Sequence, residues 1–353
     1  MAATRALIRN VCQIVLCIII ALLIGAIFLL LQGENPLEIY YYLIVNPLTS
    51  GLGIIKSLGK ATPLIFTGLA VAISFKCGLF NIGVEGQLLF GGLAAALVGY
   101  YGTGLPAALH MTISVLAGMA AGMLYAFIPA ILKVKLMVHE VITTIMLNSI
   151  AAALTAFLIV NYFRNPGQTA RTFTVAWSSR LPQLASPEHL NLGFVIAMIC
   201  VVLFSILLKR TPFGLKLDAI GKNPVASKYS GIYSNQIVII TMLISGALAG
   251  LCGSERILGA FGYMQVNFSP GYGFDGITAA VIGKNNPVGA CIAAIFIGIL
   301  QYGGTTINMM TNVPAEFVQA LIAIMFVLVA AQGAIFHALG SAFNKRRKRV
   351  NAV

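Results

Sequence analysis

The stretch GLFNIGVEGQLLFGG, residues 78–92, sets Asn81, Glu85 and Gln87 among glycines inside an otherwise apolar run. Its neighbours on both sides are Val, Ile, Leu, Phe and Ala, with few charges. A charged group at a bilayer centre costs about 2.5–3.5 kcal/mol on insertion scales, so such a carboxylate faces protein or a wet cavity. Asn81 and Glu85 stand four apart, the spacing of one helix face. Gly78, Gly83, Gly86, Gly91 and Gly92 permit close packing, or a local break whose freed backbone groups bond to neighbours. Two readings follow for Glu85: it braces a broken helix, or it lines a route through the membrane. Phe80, Asn81, Glu85 and Gln87 are the first candidate site residues.

Outward from this stretch the composition sets the class. Hydrophobic residues are 59% of the 353 and charged residues 9%, against roughly 45–50% and 25% in soluble domains. Many windows are long and apolar enough to cross hydrocarbon as helices. The chain reads as an all-α integral membrane protein. Ten spans are predicted, at 11–31, 61–76, 80–101, 105–132, 138–162, 191–209, 236–256, 273–284, 287–307 and 314–336, of which 61–76 and 273–284 are short. The net charge of +13 collects at span ends and in the tail Lys345-Arg346-Arg347-Lys348-Arg349. That placement follows the positive-inside rule and touches anionic lipid; it does not point to nucleic acid. Ten crossings then put both termini and residues 210–235 in the cytoplasm and 163–190 outside, in a multi-pass protein of the cell membrane.

The organisation predicted is one transmembrane domain over 1–353. Residues 1–60 hold the first helix and an external interfacial segment, and 163–190 an external loop. Residues 191–235 hold the sixth helix and a cytoplasmic loop, and 337–353 the basic tail. Two short, glycine-broken spans in corresponding halves suggest an inverted repeat of 61–162 and 236–336. A second polar stripe, VHEVITTIMLN (138–148), places Glu140, Thr143, Thr144 and Asn148 on one helical face, with Lys133 and Lys135 near enough to pair with Glu140. Thr144 and Asn148 are candidates for the substrate pathway or for interhelical hydrogen bonds. In LDAIGKNPVASKYSGIYSNQ (217–236), Asn223 can cap a short helix that starts at Pro224 and stops at Gly231. Two helical turns alone are marginal, so this helix needs a partner surface, either the membrane face or another protein; a plain solvated loop is the alternative.

No phosphate-binding G-x-x-x-x-G-K-[ST], no G-x-S-x-G and no H-E-x-x-H occurs. The six cysteines form no CxxC, and the four histidines are scattered. No catalytic residue, metal ligand or cofactor of this chain's own is expected, and the chain is not read as an enzyme. Carboxylates in apolar spans also admit an ion-coupled secondary transporter with Glu85 or Glu140 as the proton carrier.

The stretches ENPLEIYYYL, KATPLIFTGLAVAISFKCGLFNIGVEGQLLFGGL, HEVITTIMLNSIA, LKLDAIGKNPVASKYSGI and GFDGITAAVIGKNNPVG resemble one known family. It comprises the permease subunits of bacterial ATP-binding-cassette importers for ribose, branched-chain amino acids and nucleosides. The nucleoside branch, of purine nucleoside or guanosine type, is the most similar, and a simple sugar such as ribose is the alternative substrate. Where the family often has Asn before a Glu, this chain has His139 before Glu140. The resemblance implies a type II importer fold of ten helices, shared with vitamin B12-type importers. It also implies a second permease subunit, often a different chain, and an extracytoplasmic substrate-binding lipoprotein. A separate ATPase would use the ATP and grip the loop helix through Gly221, Asn223, Pro224, Ala226, Ser227, Tyr229, Gly231 and Ile232.

Overall fold

A computed structural model describes residues 2–167, 169–185, 190–311, 313, 314 and 316–332. The basic tail 337–353 lies outside the described residues. Helix α1 (Ala2–Leu31) is followed by the short α2 (Pro36–Tyr40), a π-helical turn (Tyr41–Val45) and α3 (Asn46–Thr49). Long helices α4 (Gly51–Lys76), α5 (Val84–Tyr101), α6 (Ala107–Leu136) and α7 (Glu140–Asn161) come next. Strands β1 (Gln183–Ala185) and β2 (Leu190–Asn191) pair antiparallel in the segment before α8 (Leu192–Arg210). Helices α9 (Pro212–Lys222) and α10 (Pro224–Tyr229) then lead into α11 (Ser234–Glu255), which continues as a π-helical segment, Arg256–Phe261. The described residues close with α12 (Tyr272–Ile282), α13 (Pro287–Met310) and α14 (Glu316–Ala330).

Among the described residues, seven helices are long and apolar enough to cross a membrane by length and composition, while the apolar α12 and α14 are shorter. One predicted boundary is wrong. The span expected at 61–76 is no short segment, because α4 is one helix from Gly51. Ser50 caps it, its hydroxyl accepting from the Gly53 N–H at 2.9 Å. Lys56, Lys60 and three glycines had masked this first part by lowering its hydropathy.

The chain divides into two compact units, residues 1–45 with 303–353 and residues 46–302. In the first, α1 packs along α14, and the Tyr40 hydroxyl donates to the Leu22 carbonyl. The second carries every site described below. Its centre is α4 and α11: 83% of the apolar window of α4 and 78% of that of α11 with its π extension are buried, against 22–33% for α6, α7 and α8. Small residues explain the difference. A Cβ on Gly122 of α6 would stand 2.3 Å from the Gly246 carbonyl oxygen of α11, so the two backbones touch directly. Dispersion and close backbone approach hold membrane helices where no hydrophobic effect acts between them.

Candidate functional site

The opening stretch is a break between two helices. Helix α4 ends at Lys76 and α5 starts at Val84, with Gly78 in the left-handed region at φ 75°. Asn81 therefore lies in the break and does not share a helix face with Glu85, contrary to the expectation from their spacing. The glycines on either side stop the helix before the spacing can apply. Asn81 is fully buried and its amide is saturated. Its Oδ1 accepts from the Gly83 N–H at 3.0 Å, and its Nδ2 donates to Gln87 Oε1 at 3.2 Å and to Ser245 Oγ of α11 at 2.9 Å. The Ser245 hydroxyl donates in turn to the Ala70 carbonyl of α4 at 2.7 Å.

Asn148 holds the other side of the break. Its Nδ2 donates to the Ile82 carbonyl at 2.9 Å, and its Oδ1 accepts from the Gly86 N–H at 2.9 Å. One side chain thus satisfies a freed carbonyl and a freed amide, as irregular backbone in a membrane requires. Thr144 bonds back to the Glu140 carbonyl at 2.7 Å and packs beside Gly83. Glu140 pairs with Lys133 at 2.6 Å, as the sequence suggested. Phe80 alone among these candidates is exposed, and its ring rests against Phe75 at 4.8 Å.

Glu85 reaches out of the first turn of α5 to the start of α12. Its Oε2 accepts from the Gly273 N–H at 2.6 Å. A Cβ on Gly273 would stand 2.5 Å from the Glu85 nitrogen, so only glycine admits this approach. The carboxylate therefore sits at two helix N-termini together, where negative charge is favoured.

Sequence reasoning missed a second polar cluster. Glu255 and Arg256, at the junction of α11 and its π segment, are 2% and 7% exposed and form a bidentate pair, both contacts 2.6 Å. Asn191 donates to Glu255 Oε1 at 2.7 Å while its own Oδ1 caps α8. Arg256 also donates to the Gly59 carbonyl of α4 at 3.3 Å and lies over the Tyr272 ring. On α12, Asp275 accepts from Gln301 Nε2 at 2.8 Å. Two signals were available: the Glu-Arg dipeptide at the end of an apolar window, and an internal echo. Residues 83–86 read G-V-E-G and residues 273–276 read G-F-D-G, each in the first turn of a helix after a break.

In the loop after α8, α10 forms as predicted. Asn223 Oδ1 accepts from the Ala226 N–H at 3.0 Å, Pro224 is the first helical residue, and Gly231 sits at φ 75°. The Ile232 N–H closes the motif on the Ser227 carbonyl at 3.1 Å. Two details differ from expectation. Ser227 is buried within this chain and bonds to Asn223 O, so it offers no outward surface; Tyr229, 89% exposed, and Val225 do. Gly221 lies in the last turn of an unexpected helix, α9, where a Cβ would meet the Lys76 carbonyl oxygen at 2.1 Å. Leu217 and Ile220 of α9 join Ile73, Cys77 and Leu79 in one apolar cluster under the break. Asp218 pairs with Lys222 at 2.6 Å and Lys76 at 3.7 Å, and the Lys222 hydrogen bond, with the Lys76 charge, holds its carboxyl below the ordinary 3.8.

Among the described residues no group of three or more His, Cys, Asp or Glu could hold a metal ion. The geometry is that of helix breaks braced by amides and carboxylates. Comparison with known proteins agrees with a transport role. The chain is 38% identical to the guanosine ABC transporter permease protein NupP of Bacillus subtilis (strain 168), covering 92% of this chain and 94% of that one. It is 36% identical to the nucleoside ABC transporter permease protein NupB of Lactococcus lactis subsp. cremoris (strain MG1363), covering 92% of each. It is 33% identical to the glucose ABC transporter permease protein TsgB13 of Haloferax volcanii, covering 94% and 90%. Residues 53–330 match the family described as branched-chain amino acid transport system / permease component. The chain belongs to this family and is a membrane transport subunit, not an enzyme.

Proposed function

We propose that this chain is one permease subunit of an ATP-driven importer that moves nucleosides into the cell. The observation that carries the reading is the match, over more than nine-tenths of the chain, to permease proteins named for guanosine and nucleoside transport. A separate ATPase supplies the energy, a second permease completes the pathway, and an extracytoplasmic lipoprotein delivers substrate. Helix α10 is the element the ATPase grips. Its exposed Tyr229 and Val225 supply anchors, and α9 joins it to the apolar cluster beneath the break at 77–83. Push on α10 then moves the end of α4 as a rigid body. Glu85, Asn81, Gln87 and Asn148 are braces of that break in this reading, and substrate passes beside them.

Ten crossings, with both termini in the cytoplasm, belong to the same proposal, as does the inverted repeat of 61–162 and 236–336. Packing supports the repeat. The first helix of each half packs on the second of the other, α4 on α12 and α11 on α5. It also packs on the third of the other, α11 on α6 and α4 on α13 near Gly298. Uptake of radiolabelled guanosine by cells with and without a working partner ATPase tests the function. Accumulation that persists without the ATPase and collapses with the proton gradient would mean the ion-coupled alternative.

A further inference from the structure

A cavity of about 710 Å³ opens between the start of α6, the segment 177–183 and the end of the π-helical segment. That is the size range of small-molecule sites. Trp177, Arg180, Gln183 and Phe261 line it together with apolar Met111 and Leu258. Trp177 is 83% exposed, yet the turn that carries it is tied down firmly. The Ala176 N–H and the Ser179 hydroxyl both donate to the Gly99 carbonyl at the end of α5, at 2.8 and 3.1 Å. Ser178 bonds to buried His110 at 2.8 Å. The Arg180 guanidinium lies 4.4 Å from the centre of the indole, in a space that exists because Gly262 has no side chain. Its Nε–H is buried and has no acceptor among the described residues. Gln183 is held by the Gly259 carbonyl at 2.6 Å.

An exposed indole on a well-held turn contributes little to folding, because little of it leaves solvent. Resting on the nucleoside-import reading, we propose that this cavity is a nucleoside subsite: the base stacks on the face of Trp177 that Arg180 does not cover, and its polar edge meets Gln183. An aromatic platform beside an amide suits a planar heterocycle with a polar edge, and suits a bare sugar poorly.

The chain has a single tryptophan, which makes the test direct. In the assembled transporter in nanodiscs, the emission difference between wild type and Trp177→Phe isolates this ring. Guanosine should quench it saturably and ribose should not. Gln183→Ala should raise the half-saturating guanosine concentration several-fold. Trp177→Ala should raise the KM for uptake about tenfold, the loss of one base–aromatic stack, at unchanged amounts of membrane-inserted protein. No saturable difference signal, or equal quenching by ribose, overturns the proposal. So does quenching that appears only on adding the binding lipoprotein, which would make the ring a protein-docking face. If wild type imports guanosine by an ATPase-dependent route while the indole stays silent, the subsite falls and the import reading stands. If guanosine is neither imported nor sensed, both fall.

Discussion

Glu85 separates the two mechanisms a buried carboxylate allows. Its Oε2, as a carboxylate oxygen, takes the Gly273 N–H at 2.6 Å. Such bonds contribute about 1.5–3 kcal/mol each, against about 0.5–1.5 for neutral ones. Glu85→Gln keeps an acceptor oxygen in place, so it should cost about 1–2 kcal/mol and leave most transport intact. Glu85→Leu removes this bond and strands the Gly273 N–H, for a loss of about 2–4 kcal/mol. Melting of the detergent-solubilised transporter and guanosine uptake into proteoliposomes read the two effects. A Gln variant as stable as wild type that no longer accumulates substrate would refute bracing and favour proton carriage. So would a Leu variant with unchanged melting. Gly273→Ala is an independent probe, because its Cβ collides with the Glu85 backbone; it should resemble the Leu variant.

Arg256→Met leaves Glu255 buried with only Asn191 as donor and should cost about 3–5 kcal/mol; adding Glu255→Leu should restore part of the loss, measured as the fraction of monodisperse protein after heating. Ala226→Arg on exposed α10 should give a normally inserted permease that neither co-purifies with its ATPase nor imports nucleoside, and wild-type uptake would place coupling elsewhere. Asp218 is more than a third exposed, so screening limits its pairs to about 0.2–1 kcal/mol. Because its folded pKa is depressed, that contribution is present above about pH 3.8 and is lost as pH falls through the lower folded value. The melting difference between wild type and Asp218→Asn should therefore be small at pH 7, shrink in high salt and vanish in strong acid.

Apolar run lengths made the membrane class and most helix positions legible, because hydrocarbon demands continuous stretches. The α10 helix was legible too, since Asn, Pro and Gly act locally through capping, fixed φ and left-handed backbone. The start of α4 was not, because lysines on a helix whose neighbours cover it look like a polar loop in a one-dimensional hydropathy sum. The relation of Asn81 to Glu85 failed for a different reason. Spacing carries meaning only within a continuous helix, and Gly78 and Gly83 end that continuity. Glu255 and Arg256 escaped because each balances the other, and the balance is visible only once Asn191 and Gly59 are brought alongside from remote parts of the chain.

The bond from Gly273 to Glu85 spans 188 residues of chain. At elongation rates of about 5–20 residues per second, roughly 10–40 s pass between synthesis of the two partners. Throughout that interval the first half is inserted with a carboxylate whose amide partner has not left the ribosome. The break at 77–83 also lacks Ser245, which arrives late as well. The amino-terminal half therefore stands without these two partners until the second half is made. Nascent chains arrested before residue 245 should be protease-sensitive around Gly78, and chains arrested well after residue 273 should be resistant.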